Sequence, residues 1–216
     1  QKGDFEPKAG AALPLYALAG VKPRHLVVVA CGKGQNREIR KALRAAWSAL
    51  QSSQIKSLSV YCAGERLSAS ALRSVVTELA DASYVYAHTL SKPQPRKLAK
   101  VVIGMDSVSA DHNAALQQAQ ALVQGIELAK EWANRPANHA TPSHLARAAR
   151  ALARHPGVSC KVLGPKEVER LGMGAFLAVA RGAVEPLRFI VLEYKSAKAK
   201  GAPVVLVGKG ITFDTG

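Results

Sequence analysis

Apolar positions along the chain fall into two kinds of pattern, short β-branched runs and longer stretches at helical spacing. His25 to Ala30 (HLVVVA) predicts a buried strand, and Cys31-Gly32-Lys33-Gly34 predicts the turn after it. From Asn36 to Leu50 the residues Ile39, Leu43, Ala46, Trp47 and Leu50 recur on one helical face. Leu58 to Ala63 (LSVYCA) predicts a second strand. Ser68 to Ala82 predicts a helix with Leu72, Val75, Val76 and Leu79 facing inward. Tyr84 to His88 reads as extended and is followed by a Pro/Lys-rich loop, Ser91 to Lys97. Lys100 to Ile103 predicts another strand. Strand and helix alternate, which is the pattern of an α/β domain.

A long helix is predicted from Asp111 to Trp132, with Leu116, Ala119, Leu122, Val123, Ile126 and Ala129 on one side and Leu128 and Trp132 on another. Pro136 disfavours helix at the residue before it and so marks the end. The reading is a domain at residues 1–112, a connecting helix at 113–134, and the start of a second domain at 135–216. In the second part Thr141 is placed to cap a helix from Pro142 to His155, with Pro142 at its first position. Ser159 to Leu163, Arg188 to Tyr194 (RFIVLEY) and Pro203 to Val207 (PVVLV) predict strands. Pro165 to Leu171 predicts a short helix that stops at Gly172, and Ala175 to Ala180 is an apolar run of mostly small residues.

Composition changes this picture little. With 48% hydrophobic and 21% charged residues in 216, the chain reads as an ordinary globular protein. No run reaches the ~18 apolar residues that spanning a bilayer needs. Ala9 to Gly20 is apolar, but Pro14 interrupts it and Asp4 and Glu6 precede it, a poor signal peptide. Cys31, Cys62 and Cys160 are odd in number and widely spaced, so buried free thiols in a cytoplasmic setting are expected. The net charge of +15 raises the question of a nucleic-acid partner. The excess is +8 over residues 1–112 (16 basic, 8 acidic) and +7 over 113–216 (14 and 7). It is evenly spread between the two parts, and a dedicated nucleic-acid surface is not favoured.

The candidate chemistry lies at Val204 to Gly216, VVLVGKGITFDTG. A predicted strand ends in a lysine flanked by Gly208 and Gly210, with Asp214 five residues beyond it. Lys209 would stand at the carboxyl end of a strand, where α/β sheets place ligands. The spacing alone equally suits a plain turn, with Lys209 solvated and Asp214 capping. It is not the GxxxxGK[ST] phosphate loop. Cys31 to Gly34 is too short for a nucleotide fingerprint and reads as a βα turn. His139 and His144 are five apart across Pro142 and read as loop histidines.

GKGITFDTG is similar to the signature of the leucyl (cytosol) aminopeptidase family. Two further segments agree in order and spacing. Trp132 to Ala146 (WANRPANHATPSHLA) resembles the family's Asn-x-Pro-x-Asn-x-x-Thr-Pro segment, and Glu169 to Arg181 (ERLGMGAFLAVAR) resembles its Leu-Gly-Met-Gly segment, followed by the strand RFIVLEY. Gly182-Ala183 departs from the family's usual Gly-Ser. The resemblance is closest over 132–216. It implies a macrodomain-like N-terminal α/β domain, a connecting helix, and the first part of an α/β metallopeptidase domain.

The resemblance also implies a two-metal aminopeptidase that releases N-terminal residues, leucine-type above all, from peptides in the cytoplasm, as a homohexamer. Lys209 and Asp214 would be metal ligands for two divalent ions, manganese or zinc, which together activate a water and stabilise the tetrahedral oxyanion. Lysine binds a metal only as the neutral amine. Its ordinary pKa of about 10.4 would have to fall through burial and a neighbouring dication. The family's other ligands, its second lysine and its arginine would lie beyond Gly216, and no catalytic residue is assigned within the chain. The expectation is that these 216 residues alone neither hydrolyse peptides nor bind metal tightly. Two other roles stay open: a nucleic-acid-binding regulator, suggested by the pI of about 10.0, and an inactive fragment.

Overall fold

The computed structural model describes residues 5–51, 54–63 and 67–212. They form two compact units, residues 1–131 and 132–216. Among the described residues no helix is long and apolar enough to cross a membrane.

In the first unit β1 (Ala12–Tyr16) pairs antiparallel with β2 (His25–Val29), Ala12 opposite Val29 and Tyr16 opposite His25. β1 falls inside the apolar stretch that Pro14 interrupts, so alternation did not announce it. Proline is tolerated there because β1 has one strand neighbour, and the missing N–H can face away from the ladder. β3 (Ser57–Tyr61) pairs parallel with β4 (Lys100–Gly104), Leu58 opposite Val101 and Val60 opposite Ile103. The crossover between them carries α2 (Ala69–Ala82), capped by Ser68, whose hydroxyl accepts the Ala71 N–H at 3.1 Å. α1 (Asn36–Leu50) has the limits its periodicity predicts.

Ile39 and Leu43 of α1 meet Leu72, Val75 and Leu79 of α2 in one core, with Leu58, Val60 and Ile103 of the parallel strands packed against it. α3 (Ala110–Asn134) contributes Ala115 to that core. Ion pairs from Lys130 to Asp81 and from Arg96 to Glu127 tie its later turns to the unit. Only alanines, Ala115 and Ala119, are fully buried along α3 among the described residues. Leu122, expected inside, is 53% exposed. Tyr84 to His88, expected extended, forms no strand: residues 84–87 are irregular and His88 begins a turn.

The second unit holds a 3-10 turn (Ala137–His139), α4 (Pro142–Leu152), β5 (Val158–Leu163), α5 (Pro165–Arg170), α6 (Gly174–Ala180) and β6 (Phe189–Tyr194). β5 and β6 pair antiparallel, from Val158–Tyr194 to Leu163–Phe189. The open end is latched where Lys195 N–H donates to Gly157 O at 2.8 Å. Gly157 has φ +77°, and a side chain there would also press on the carbonyl oxygen of Lys195. Leu163, Val168 and Leu187 form the core of this unit, with Met173, Phe176, Leu177 and Ala180 around it.

Candidate functional site

The first segment singled out in the sequence, Trp132 to Ala146, leaves the end of α3, turns through the 3-10 element and enters α4 at Thr141. The Thr141 hydroxyl accepts the His144 N–H at 3.4 Å and lies 2.9 Å from His144 Nδ1, and Pro142 occupies the first turn. Trp132 lies under the Arg135 guanidinium, 4.1 Å from ring centroid to Cζ. The second segment, Glu169 to Arg181, runs from the end of α5 through a turn at Leu171 to Met173 and along α6. Gly172 takes φ +68°, and the Met173 N–H returns to Val168 O at 3.2 Å, which sets Met173 against the core of Val168. Both segments therefore have a structural reason for their residue types.

The third segment departs from expectation. After β6 the chain turns at residues 196–201, where the Ala199 N–H meets Ser196 O at 3.0 Å, and then runs on without pairing. Pro203 to Val207 is not a strand, and Val204 and Val207 are 90% and 93% exposed. The physical reason is the absence of a ladder. A β-branched run is extended and buried only where a neighbouring strand accepts its hydrogen bonds, and none of the described strands does so. Lys209 is exposed, and side chains added at Gly208 or Gly210 would meet nothing within 4 Å. Asp214 lies outside the described residues, so the structure does not bring the pair together or apart. Among the described residues no three His, Cys, Asp or Glu side chains gather closely enough to hold a metal ion. The described residues do not by themselves make a metal centre.

The other candidates resolve into structure. In the Cys31 to Gly34 turn, Gly32 and Gly34 take φ +58° and +72°, and the Gly34 N–H closes the turn on Cys31 O at 2.9 Å. The amides that would cradle a phosphate already face a carboxylate: Glu38 accepts from Lys33 N–H (2.9 Å) and Gln35 N–H (3.2 Å). This is a capping interaction at the start of α1, and it fills the anion position from within.

The three cysteines are free, as expected, but Cys31 and Cys160 are only half-buried and Cys62 is exposed. The Cys31 thiol is pushed up by its burial, then by the neighbouring Cys62 and by Glu38, so it stays protonated and weakly nucleophilic. A cleft of about 140 Å³ opens at the carboxyl ends of β3 and β4, lined in part by Tyr61, Cys62, Asp106 and His112. Periodicity gave no sign of it, because its lining is assembled from the ends of separate elements. His112 is committed on both sides of its ring: Nδ1 lies 3.1 Å from the Ser109 N–H and Nε2 lies 2.8 Å from Leu67 O. It holds the start of α3 in place.

Comparison with known proteins supplies what the described geometry does not. The model of the cytosol aminopeptidase family N-terminal domain matches residues 1–93, and that of the family's catalytic domain matches residues 127–216. The probable cytosol aminopeptidase of Albidiferax ferrireducens is 50% identical over 214 residues, 99% of this chain and 44% of that protein. That of Polaromonas naphthalenivorans is 47% identical over 218 residues, 100% of this chain and 42% of that protein. The chain thus spans less than half the length of these relatives. A variant of tomato leucine aminopeptidase is similar in structure, with a TM-score of 0.77 and 25% identity over 91% of this chain and 40% of that one. The bottromycin maturation enzyme BotP in complex with Mn shares the fold, with a TM-score of 0.73 and 24% identity over 89% of this chain and 41% of that one. With both domain models matched in order and half of the residues shared with a curated relative, the chain belongs to the cytosol aminopeptidase family.

Proposed function

We propose that the protein, at the length of its relatives, is a two-metal aminopeptidase that releases N-terminal residues, leucine-type above all, from peptides. The observation that carries this reading is the Gly208-Lys209-Gly210 motif with Asp214. It lies inside the stretch matched by the family's catalytic-domain model. In this reading Lys209 and Asp214 supply an amine and a carboxylate to a pair of divalent ions, manganese or zinc. The Mn complex of BotP supports divalent metal use. Residues 1–112 act as a macrodomain-like domain, 113–134 as the connecting helix, and 135–216 as the start of the peptidase domain. The protein works in the cytoplasm as a homohexamer.

The reading is tested with leucyl amide and its N-acetylated counterpart, with Mn²⁺ or Zn²⁺ added. An aminopeptidase must recognise a free α-amino group, so hydrolysis of the first and none of the second is expected. Equal hydrolysis of both would reject the reading.

A further inference from the structure

The chain has 30 basic and 15 acidic residues, yet the cleft at the carboxyl ends of β3 and β4 has the opposite sign of charge. Asp106 lines it, exposed, and among the described residues its carboxylate makes no ion pair. No lysine or arginine lines the cleft among the described residues. Its other side chains do not balance the charge. The Ser109 N–H can only donate and Leu67 O can only accept, so the His112 ring that joins them is the neutral tautomer with its proton on Nε2. Burial raises the Cys62 thiol, which stays protonated. A carboxylate ahead of α3 would also answer the helix dipole, but Asp111 in the first turn already does so.

The cleft has an aromatic wall as well. Tyr61 stands opposite Gly104 in the parallel ladder, and its ring fills the space that a side chain at Gly104 would need. The ring is thereby held over the strand end, yet Tyr61 remains 75% exposed. A fixed, solvent-facing ring and an unpaired carboxylate in one cleft are the two halves of organic-cation recognition. The ring attracts the charge over its face, and the carboxylate accepts its N–H groups. Other ligand classes fit less well. A phosphate would meet the Asp106 carboxylate. A hard dication needs about six or more oxygens, and among the described residues no three His, Cys, Asp or Glu side chains gather. At about 140 Å³ the cleft is small beside the roughly 300–1,000 Å³ of ordinary ligand pockets, which suits a side-chain head rather than a nucleotide.

We propose that this cleft binds an organic cation of the alkylguanidinium or alkylammonium type, with the charge over Tyr61 and its N–H groups on Asp106. The inference stands apart from the peptidase reading, because it uses no residue of the metal motif.

The 216-residue chain holds two methionines, Met105 lining the cleft and Met173 against the core of the second unit. Methyl-¹³C methionine labelling therefore gives one NMR resonance at the site and one reference. The probes are N-acetylarginine amide, standing for a peptide side chain, and putrescine, a free amine. The acetyl group removes the α-amino group that an aminopeptidase must recognise, so this binding is read separately from turnover. At least one probe is expected to shift the Met105 resonance saturably, in the millimolar range, and to leave Met173 in place. The tighter of the two names the source of the cation. N-acetylcitrulline amide, uncharged and of nearly the same shape, should leave Met105 unmoved. Asp106→Asn should weaken binding roughly two- to fivefold. Tyr61→Leu should weaken it roughly two- to fivefold, while Tyr61→Phe should bind as the parent does.

Equal shifts from the citrulline and arginine compounds would overturn the proposal. So would parent-like affinity in a folded Asp106→Asn or Tyr61→Leu variant, a saturable Met105 shift with inorganic phosphate alone, or no Met105 shift with either cation. The citrulline comparison needs no variant, so it decides the matter even where circular dichroism shows that a substitution has unfolded the chain.

Discussion

Val168 and Val207 receive the same substitution in opposite surroundings. Val168 has no exposed surface and is enclosed by Leu163, Leu187, Met173, Phe176 and Leu177, whereas Val207 is 93% exposed. Val168→Ala removes two methyl-sized groups from a closed core, at about 0.8 kcal/mol each in transfer free energy. The void left behind raises the cost to roughly 2–3 kcal/mol, because the short α5 and α6 around it can only partly collapse. Val207→Ala removes groups already in water and should stay within about 0.5 kcal/mol. Urea unfolding followed by circular dichroism reads the difference. With a slope of about 1–3 kcal/mol per molar urea, the Val168 variant should lose about 1 M or more in midpoint. The Val207 variant should overlay the parent. Equal shifts would refute the reasoning, and a large shift for Val207→Ala would mean that 203–207 is a packed strand after all.

Two smaller effects should follow from the same unit. Thr141→Ala removes the cap of α4 and should cost about 1 kcal/mol in the same assay, while Thr141→Ser should cost a fraction of that. Glu167 accepts the Gly164 N–H at 3.0 Å, and its carboxyl is held below the usual glutamate range by its backbone hydrogen bonds, its own and that from Gly164, with Arg170 and Arg188 adding to them. A depressed folded-state value means that stability is present above the ordinary glutamate pKa of about 4.3 and is lost as pH falls through the folded value. Glu167→Gln should therefore lower the melting temperature at pH 7 and converge with the parent in acid. A gap unchanged from pH 7 to pH 3 would contradict it.

Elements whose own residues carry the signal were legible in the sequence. α1 begins and ends where its periodicity does, and Thr141 caps where a threonine before proline should. What was not legible depends on partners distant in the chain. β1 was hidden by Pro14, which matters only on the side of a strand that must donate. The Pro203–Val207 run has strand composition, but composition cannot supply the neighbouring strand. The exposed Leu122 shows the same limit on a helix, where spacing gives the face but not what covers it. The metal-ligand assignment came from the motif's resemblance. Spacing left Lys209 open between a ligand and a solvated turn, and its exposure among the described residues does not by itself favour the ligand.

The central claim is that Lys209 and Asp214 hold metal in an aminopeptidase, and turnover of a leucyl amide by the protein at its relatives' length tests it most directly. With Mn²⁺ added, the parent should be active, and Lys209→Ala and Asp214→Ala, each folded by circular dichroism, should each abolish activity. Near-normal turnover in either folded variant would contradict the assignment.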